Sequence, residues 1–200
     1  MENNAGTMRL FIAVELPEAA KQGLTRIQES LKRSCPRCPA RWVSPENTHL
    51  TLNFLGDVDA SRLPDVKEAV TQTSTAFEGF ELALGDVGAF PSLERPRVLW
   101  VGMRGDMNRL TTLQKYMEQS LSALGFAPEA RPFSPHLTLA RVGDEVFSAD
   151  RKRLGEAAAA LTCSTDCAVA VHRLSLIRSQ LTPGGPVYTV LIAPALRNTV

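Results

Sequence analysis

His49-Leu50-Thr51-Leu52-Asn53-Phe54 is answered 87 residues later by His136-Leu137-Thr138-Leu139. Read as a strand, the first stretch sends alternate side chains to opposite faces. Leu50, Leu52 and Phe54 then form a core face, and His49, Thr51 and Asn53 a polar one. The polar face shows an imidazole and a hydroxyl two residues apart, about 7 Å along the chain at ~3.3 Å per residue. The same offset relates Pro45 to Pro132, Gly56 to Gly143, Leu10–Val14 to Arg97–Val101 and Phe80–Leu84 to Cys167–Val171. Agreement at one offset points to an internal duplication.

The flanking periodicities fit two copies of one unit. Ala20, Leu24, Ile27 and Leu31 form one helical face, with Pro17 near its first turn. Leu110, Leu113, Met117, Leu121 and Leu124 form its counterpart, stopped by Gly125. A second helix follows each histidine segment, one through Leu63, Val66, Val70, Thr73 and Phe77, the other over 149–161. Strands near 80–87 and 167–177 close the halves, 187–192 adds one more, and 33–41, 88–96 and 179–186 read as loops. The prediction is an α+β protein of two pseudo-symmetric lobes, each β-α-β-α-β. Antiparallel-rich sheets face a central cleft, with helices outside. One bilobal domain over 8–200 holds the repeats near 9–87 and 96–174, and residues 1–7 read as a disordered lead-in.

Lys and Arg total 22 against 21 Asp and Glu, a net charge of +1. Proteins that coat duplex nucleic acid carry a basic excess, so any nucleic-acid role is confined to a pocket. No apolar run approaches the ~20 residues of a membrane span. The polar start Met1–Met8 lacks the features of a signal peptide, which predicts a cytoplasmic protein. Cys35/Cys38 and Cys163/Cys167 permit a four-thiolate zinc site only if the fold unites them; four incidental thiols are the simpler reading.

If a pseudo-twofold brings the histidine strands together, two imidazoles and two hydroxyls converge on one cleft. Histidines with ordinary pKa near 6.5 suit one base and one acid at neutral pH. Water attack on phosphorus with departure of an alkoxide needs both, and threonine hydroxyls can hold the non-bridging oxygens. Glu46 and Asp57 flank the first motif and Asp144 and Glu145 the second, but none shares the strand face, so no metal or other cofactor is expected. Phe11 and Tyr188 are candidates for a base-stacking wall, although aromatics in apolar strands are more often core. Trp42 and Trp100 read as packing, and His172, with no threonine two residues on, as structural or exposed.

These motifs resemble the 2H phosphoesterase superfamily, and more closely the bacterial and archaeal RNA 2′,3′-cyclic phosphodiesterases, also called 2′-5′ RNA ligases. The resemblance runs from Arg9-Leu10-Phe11-Ile12-Ala13-Val14-Glu15-Leu16-Pro17 through Trp42–Gly56, Arg97–Gly102 and Pro135–Arg141 to Gly185-Pro186-Val187-Tyr188. It implies a two-lobed fold and metal-independent hydrolysis of cyclic phosphate ends to 2′-phosphomonoesters, together with reversible 2′-5′ RNA ligation. By position it makes His49 the proton donor, His136 the proton acceptor, and Thr51 and Thr138 the phosphate-holding residues. Arg141 matches a family arginine suited to phosphate or base. The implied partner is an RNA or nucleotide end; with no unusual apolar stripe beyond the core faces, a monomer with no obligate protein partner is the simple expectation. Spacing alone leaves the order of the histidines open, and leaves room for another small cyclic or 2′-5′ nucleotide, or for an RNA-end binder without catalysis.

Overall fold

The computed structural model describes residues 6–36, 40–161 and 167–198. In chain order the elements are β1 (Thr7–Glu15), α1 (Glu18–Ser34), β2 (Ala40–Trp42), β3 (His49–Asp59), α2 (Leu63–Ala76), β4 (Phe80–Phe90) and β5 (Val98–Gly105). They continue with α3 (Met107–Ala123), β6 (His136–Val142), α4 (Ser148–Ala160), β7 (Ala168–Val171), β8 (Ser175–Thr182) and β9 (Gly185–Ile192). The four helices fall where the 3.6-residue periodicity places them. Each presents its apolar stripe (Leu24, Val66, Leu113 and Leu154 among it) to one core with Leu50, Leu52, Leu137 and Leu139. No described helix is long and apolar enough to cross a membrane.

The strands form two antiparallel sheets, ordered β3-β1-β8-β9 and β2-β6-β5-β4-β7. The duplication is visible in both, since β3-β1-β8 and β6-β5-β4 correspond strand for strand at the sequence offset. The sequence did not reveal that the halves exchange their closing strands. The first half's β4 pairs with β5, and the second half's β8 pairs with β1. The single strand predicted over 167–177 is therefore divided. β7 stays beside β4, and the chain crosses at 172–174 to carry β8 to the other sheet.

Other boundaries also move. Predicted loop 179–186 is mostly a tight hairpin of β8 and β9, with Thr182 paired to Gly185 and a positive φ of 113° at Gly185. Predicted loop 88–96 is shortened because β4 continues to Phe90. Loop 33–41 contains the start of β2, which edges the second sheet beside β6. Of the proposed lead-in, 1–5 lie outside the described residues, while Thr7 already pairs with Asp59.

The two described cysteines, Cys35 and Cys167, are not gathered. Cys38 and Cys163 lie outside the described residues, and Cys35 and Cys167 are buried free thiols. The Sγ of Cys167 sits 3.0 Å from where a Cβ on Gly23 would lie, whereas Cys35 caps the far end of α1. At ~1.5 Å rise per residue those places are roughly 18 Å apart along the helix, too far to share a zinc ion.

Candidate active site

His49 opens β3 and His136 opens β6. Both rings and both threonines, Thr51 and Thr138, are half-buried on the face opposite the core leucines. The two strands belong to different sheets yet approach one another directly. Among the described residues neither threonine hydroxyl is taken up in a hydrogen bond, and both remain available to a ligand.

Alternation then breaks in the same place in both copies. Opposite β3, Ala13 pairs with Thr51 but Ile12 with Asn53, which leaves Leu52 bulged. Opposite β6, Trp100 pairs with Thr138 but Leu99 with Ala140, which leaves Leu139 bulged. A one-residue bulge reverses every side chain beyond it. Asn53, expected on the polar face, is turned inward and is 4% exposed; Phe54, expected in the core, is 60% exposed. Arg141 emerges by the same device at the equivalent position. The bulge at Leu139 is held from behind, its carbonyl accepting from Val43 N (2.9 Å) and from Nε2 of buried Gln28 (3.0 Å).

Each imidazole sits between two aromatic rings. Phe11 stacks on His49 at 4.5 Å and 24°, and Tyr188 meets it edge-on at 5.1 Å. Phe90 meets His136 edge-on at 5.1 Å, and Trp100 lies 6.3 Å away. Phe11 is only 2% exposed, so its ring supports the histidine and offers no open face to a base. The accessible aromatic next to it is Phe54, 5.9 Å away, which simple strand alternation assigns to the core. Trp100 packs as expected, and it does so beside His136. Its ring lies over Gly88, where a Cβ would stand 2.3 Å from the indole. Ser179 lies opposite Tyr188, whereas His172 is exposed in the crossing between β7 and β8.

The two histidines differ in their polar surroundings. His136 Nδ1 is 2.7 Å from the carbonyl of Ser134. As the N–H donor in that bond, Nδ1 leaves Nε2 with a free lone pair. His49 makes no hydrogen bond among the described residues, and burial pulls its pKa down to about 4, the charge of Glu15 opposing this. Glu15 is its register partner on β1 and accepts a short hydrogen bond from the fully buried Ser175 hydroxyl. Its counterpart opposite His136 is Gly102. Burial likewise pushes the Tyr188 phenol up, while Arg141 and Arg9 pull the other way. Arg141 from one sheet and Arg9 from the other therefore both reach the neighbourhood of Tyr188. Among the described residues no three His, Cys, Asp or Glu side chains gather as a metal site.

The family described as LigT like Phosphoesterase matches the chain twice, over residues 14–100 and again over 101–188. The chain belongs to the LigT-like phosphoesterase family. Each match covers one copy of the duplication, so the family pattern is itself the repeated unit. The RNA 2′,3′-cyclic phosphodiesterase of Methanothermobacter thermautotrophicus is 35% identical over 182 residues, 91% of this chain and 95% of that protein. The crystal structure of apo E. coli LigT superposes with a TM-score of 0.74 at 29% identity, covering 96% of this chain and 99% of that one. LigT complexed with 3′-AMP gives 0.72 at 30% identity, covering 95% and 98%. The protein is accordingly a phosphoesterase.

Proposed function

We propose that this phosphoesterase hydrolyses the 2′,3′-cyclic phosphate end of RNA to a 2′-phosphomonoester by metal-independent general acid–base catalysis. The observation that carries the reading is the matched pair of imidazoles on equivalent strands, set in unlike surroundings. His136 takes a proton from water through Nε2 as the water oxygen attacks phosphorus. The bond from phosphorus to the 3′ oxygen breaks, and that oxygen takes the proton held by His49. Thr51 and Thr138 hold the non-bridging oxygens, with Arg141 supplying positive charge. Phe54 offers the exposed ring for the terminal base. With the 5′ hydroxyl of a second ribose attacking in place of water, the same steps in the same direction make a 2′-5′ linkage, and their reverse cleaves it.

The acid role sets a condition on His49. With a pKa of about 4 in the empty cleft, protonation at neutral pH costs about 4 kcal/mol. A phosphate anion ~4 Å away, at an effective dielectric constant of ~20, contributes about 4 kcal/mol in favour of the charged ring. The substrate thus loads the acid that serves it. The relative named for RNA 2′,3′-cyclic phosphate and the LigT complex with 3′-AMP favour an RNA or nucleotide substrate. One chain supplies both histidines, so the site is complete in a monomer, and we place it in the cytoplasm, where its thiols stay reduced.

The test is to incubate wild type, His49→Ala and His136→Ala with a 2′,3′-cyclic nucleotide and a short RNA bearing that end, in EDTA. The expected result is a 2′-phosphate product from wild type, with a loss of ~10²–10⁴ or more in either folded variant. Wild-type rates in either variant, or no turnover until a metal is added, would overturn the proposal.

A further inference from the structure

We infer that Arg41 forms a second phosphate site beside the cleft, reading the phosphate on the 5′ oxygen of the nucleotide whose 2′,3′ end is being opened. This rests on the phosphodiesterase reading above. β2 lies outside β6 at the sheet edge, and Arg41 is the direct register partner of Arg141. Directly opposed residues share a face, so both arginines project from the same side of the sheet, and both are exposed. Like charges placed opposite one another destabilise a sheet. Among the described residues neither has a carboxylate partner, although Arg62, Arg97, Arg109 and Arg151 each find one. An uncompensated arginine pair on the functional face suits an anionic ligand.

Arg41 also borders a groove of about 490 Å³ whose other wall is the hairpin tip Leu181–Pro186. Among the described residues no carboxylate lines it. A Cβ added to Gly185 would meet nothing within 4 Å, and one on Gly184 only the Thr182 hydroxyl at 3.7 Å. A sugar–phosphate backbone can therefore lie close against the tip. A strand that ends in a cyclic phosphate continues only through its 5′ oxygen, so a second phosphate reaching this groove must come from there. It has two sources, the internal diester of an RNA strand or the 5′-monophosphate of a single nucleotide. With a net charge of only +1, such recognition is local and does not come from a general basic field.

The experiment compares kcat/KM for three substrates: adenosine 2′,3′-cyclic phosphate, the same nucleotide with a 5′-phosphate, and the ApA dinucleotide ending in the cyclic phosphate. In wild type the second phosphate is expected to raise kcat/KM about 10- to 100-fold, as a charge-assisted contact does, and salt to erode the gain. Arg41→Gln, checked for folding by thermal melting, should remove that gain while the plain cyclic nucleotide changes less than about twofold. A gain with the dinucleotide alone identifies the RNA strand as the source; a gain with both shows that the phosphate itself is read. Equal use of all three by wild type, or a gain that survives Arg41→Gln, would overturn the inference. So would a proportionate loss on all three, which would put Arg41 at the reacting phosphate. Wild type inactive on every substrate defeats the phosphodiesterase reading, and this one with it.

Discussion

Replacing His49 with Asn should flatten the acid side of this protein's stability profile. The ring is held in the fold with a pKa of about 4, against 6.5 in an unfolded chain, because burial disfavours its charged form. Between those values the unfolded state binds the extra proton and the folded state does not. Stability from this group is thus fully present above about pH 6.5 and is lost as pH falls toward 4. At about 1.4 kcal/mol for each pH unit, the loss comes to about 3 kcal/mol, a large share of the ~5–15 kcal/mol typical of a domain. Urea unfolding at steps from about pH 7.5 to about pH 4 measures it. Carboxylates titrating in that range contribute almost equally to wild type and variant, so the difference between the two curves isolates the ring. Curves that run parallel across the window would show that His49 is not held as a buried neutral imidazole, and the substrate-loaded acid would lose its basis.

If a bound phosphate loads His49, its ring resonances in the presence of saturating 2′-nucleotide should titrate near neutrality; a pKa still near 4 would remove it from the acid role. Phe54→Ala should raise KM about 5- to 150-fold, matching ~1–3 kcal/mol of base stacking, with little change in melting temperature because the ring is exposed. Gly88→Ala would put a Cβ 2.3 Å from the Trp100 ring. The expected result is a displaced indole, a changed near-ultraviolet dichroism signal and a fall in kcat, since Trp100 flanks His136.

Much of this was legible because periodicity reports burial. The helical faces from Ala20 to Leu31 and from Leu110 to Leu124, and the twin His-x-Thr strands, follow from which side chains avoid water. The bulges were not legible, because Leu52-Asn53 and Leu139-Ala140 read as ordinary alternation until a partner strand shows which residue has none. A trace of them exists in the duplication, since Phe54 and Arg141 occupy the same place in the two copies, five residues after each histidine. Nor does alternation say which sheet edge a strand will join. That is why β4 and β8 were expected at home and are found in the opposite sheet. Phe90 was missed for a local reason, because Gly88 and Pro91 suggest a loop where the strand in fact runs on to flank His136.

The exchange of closing strands bears on how such a chain leaves the ribosome. β1 is made long before β8, yet the two are neighbours, with Leu10 set against Arg178. The first sheet cannot close until β8 has emerged, and contacts so distant in sequence slow folding. A nascent chain that stops after β4 holds one histidine strand, an open sheet edge and a spare strand whose acceptor does not yet exist. Neither half can mature ahead of the other, and a prematurely terminated product has no route to partial activity.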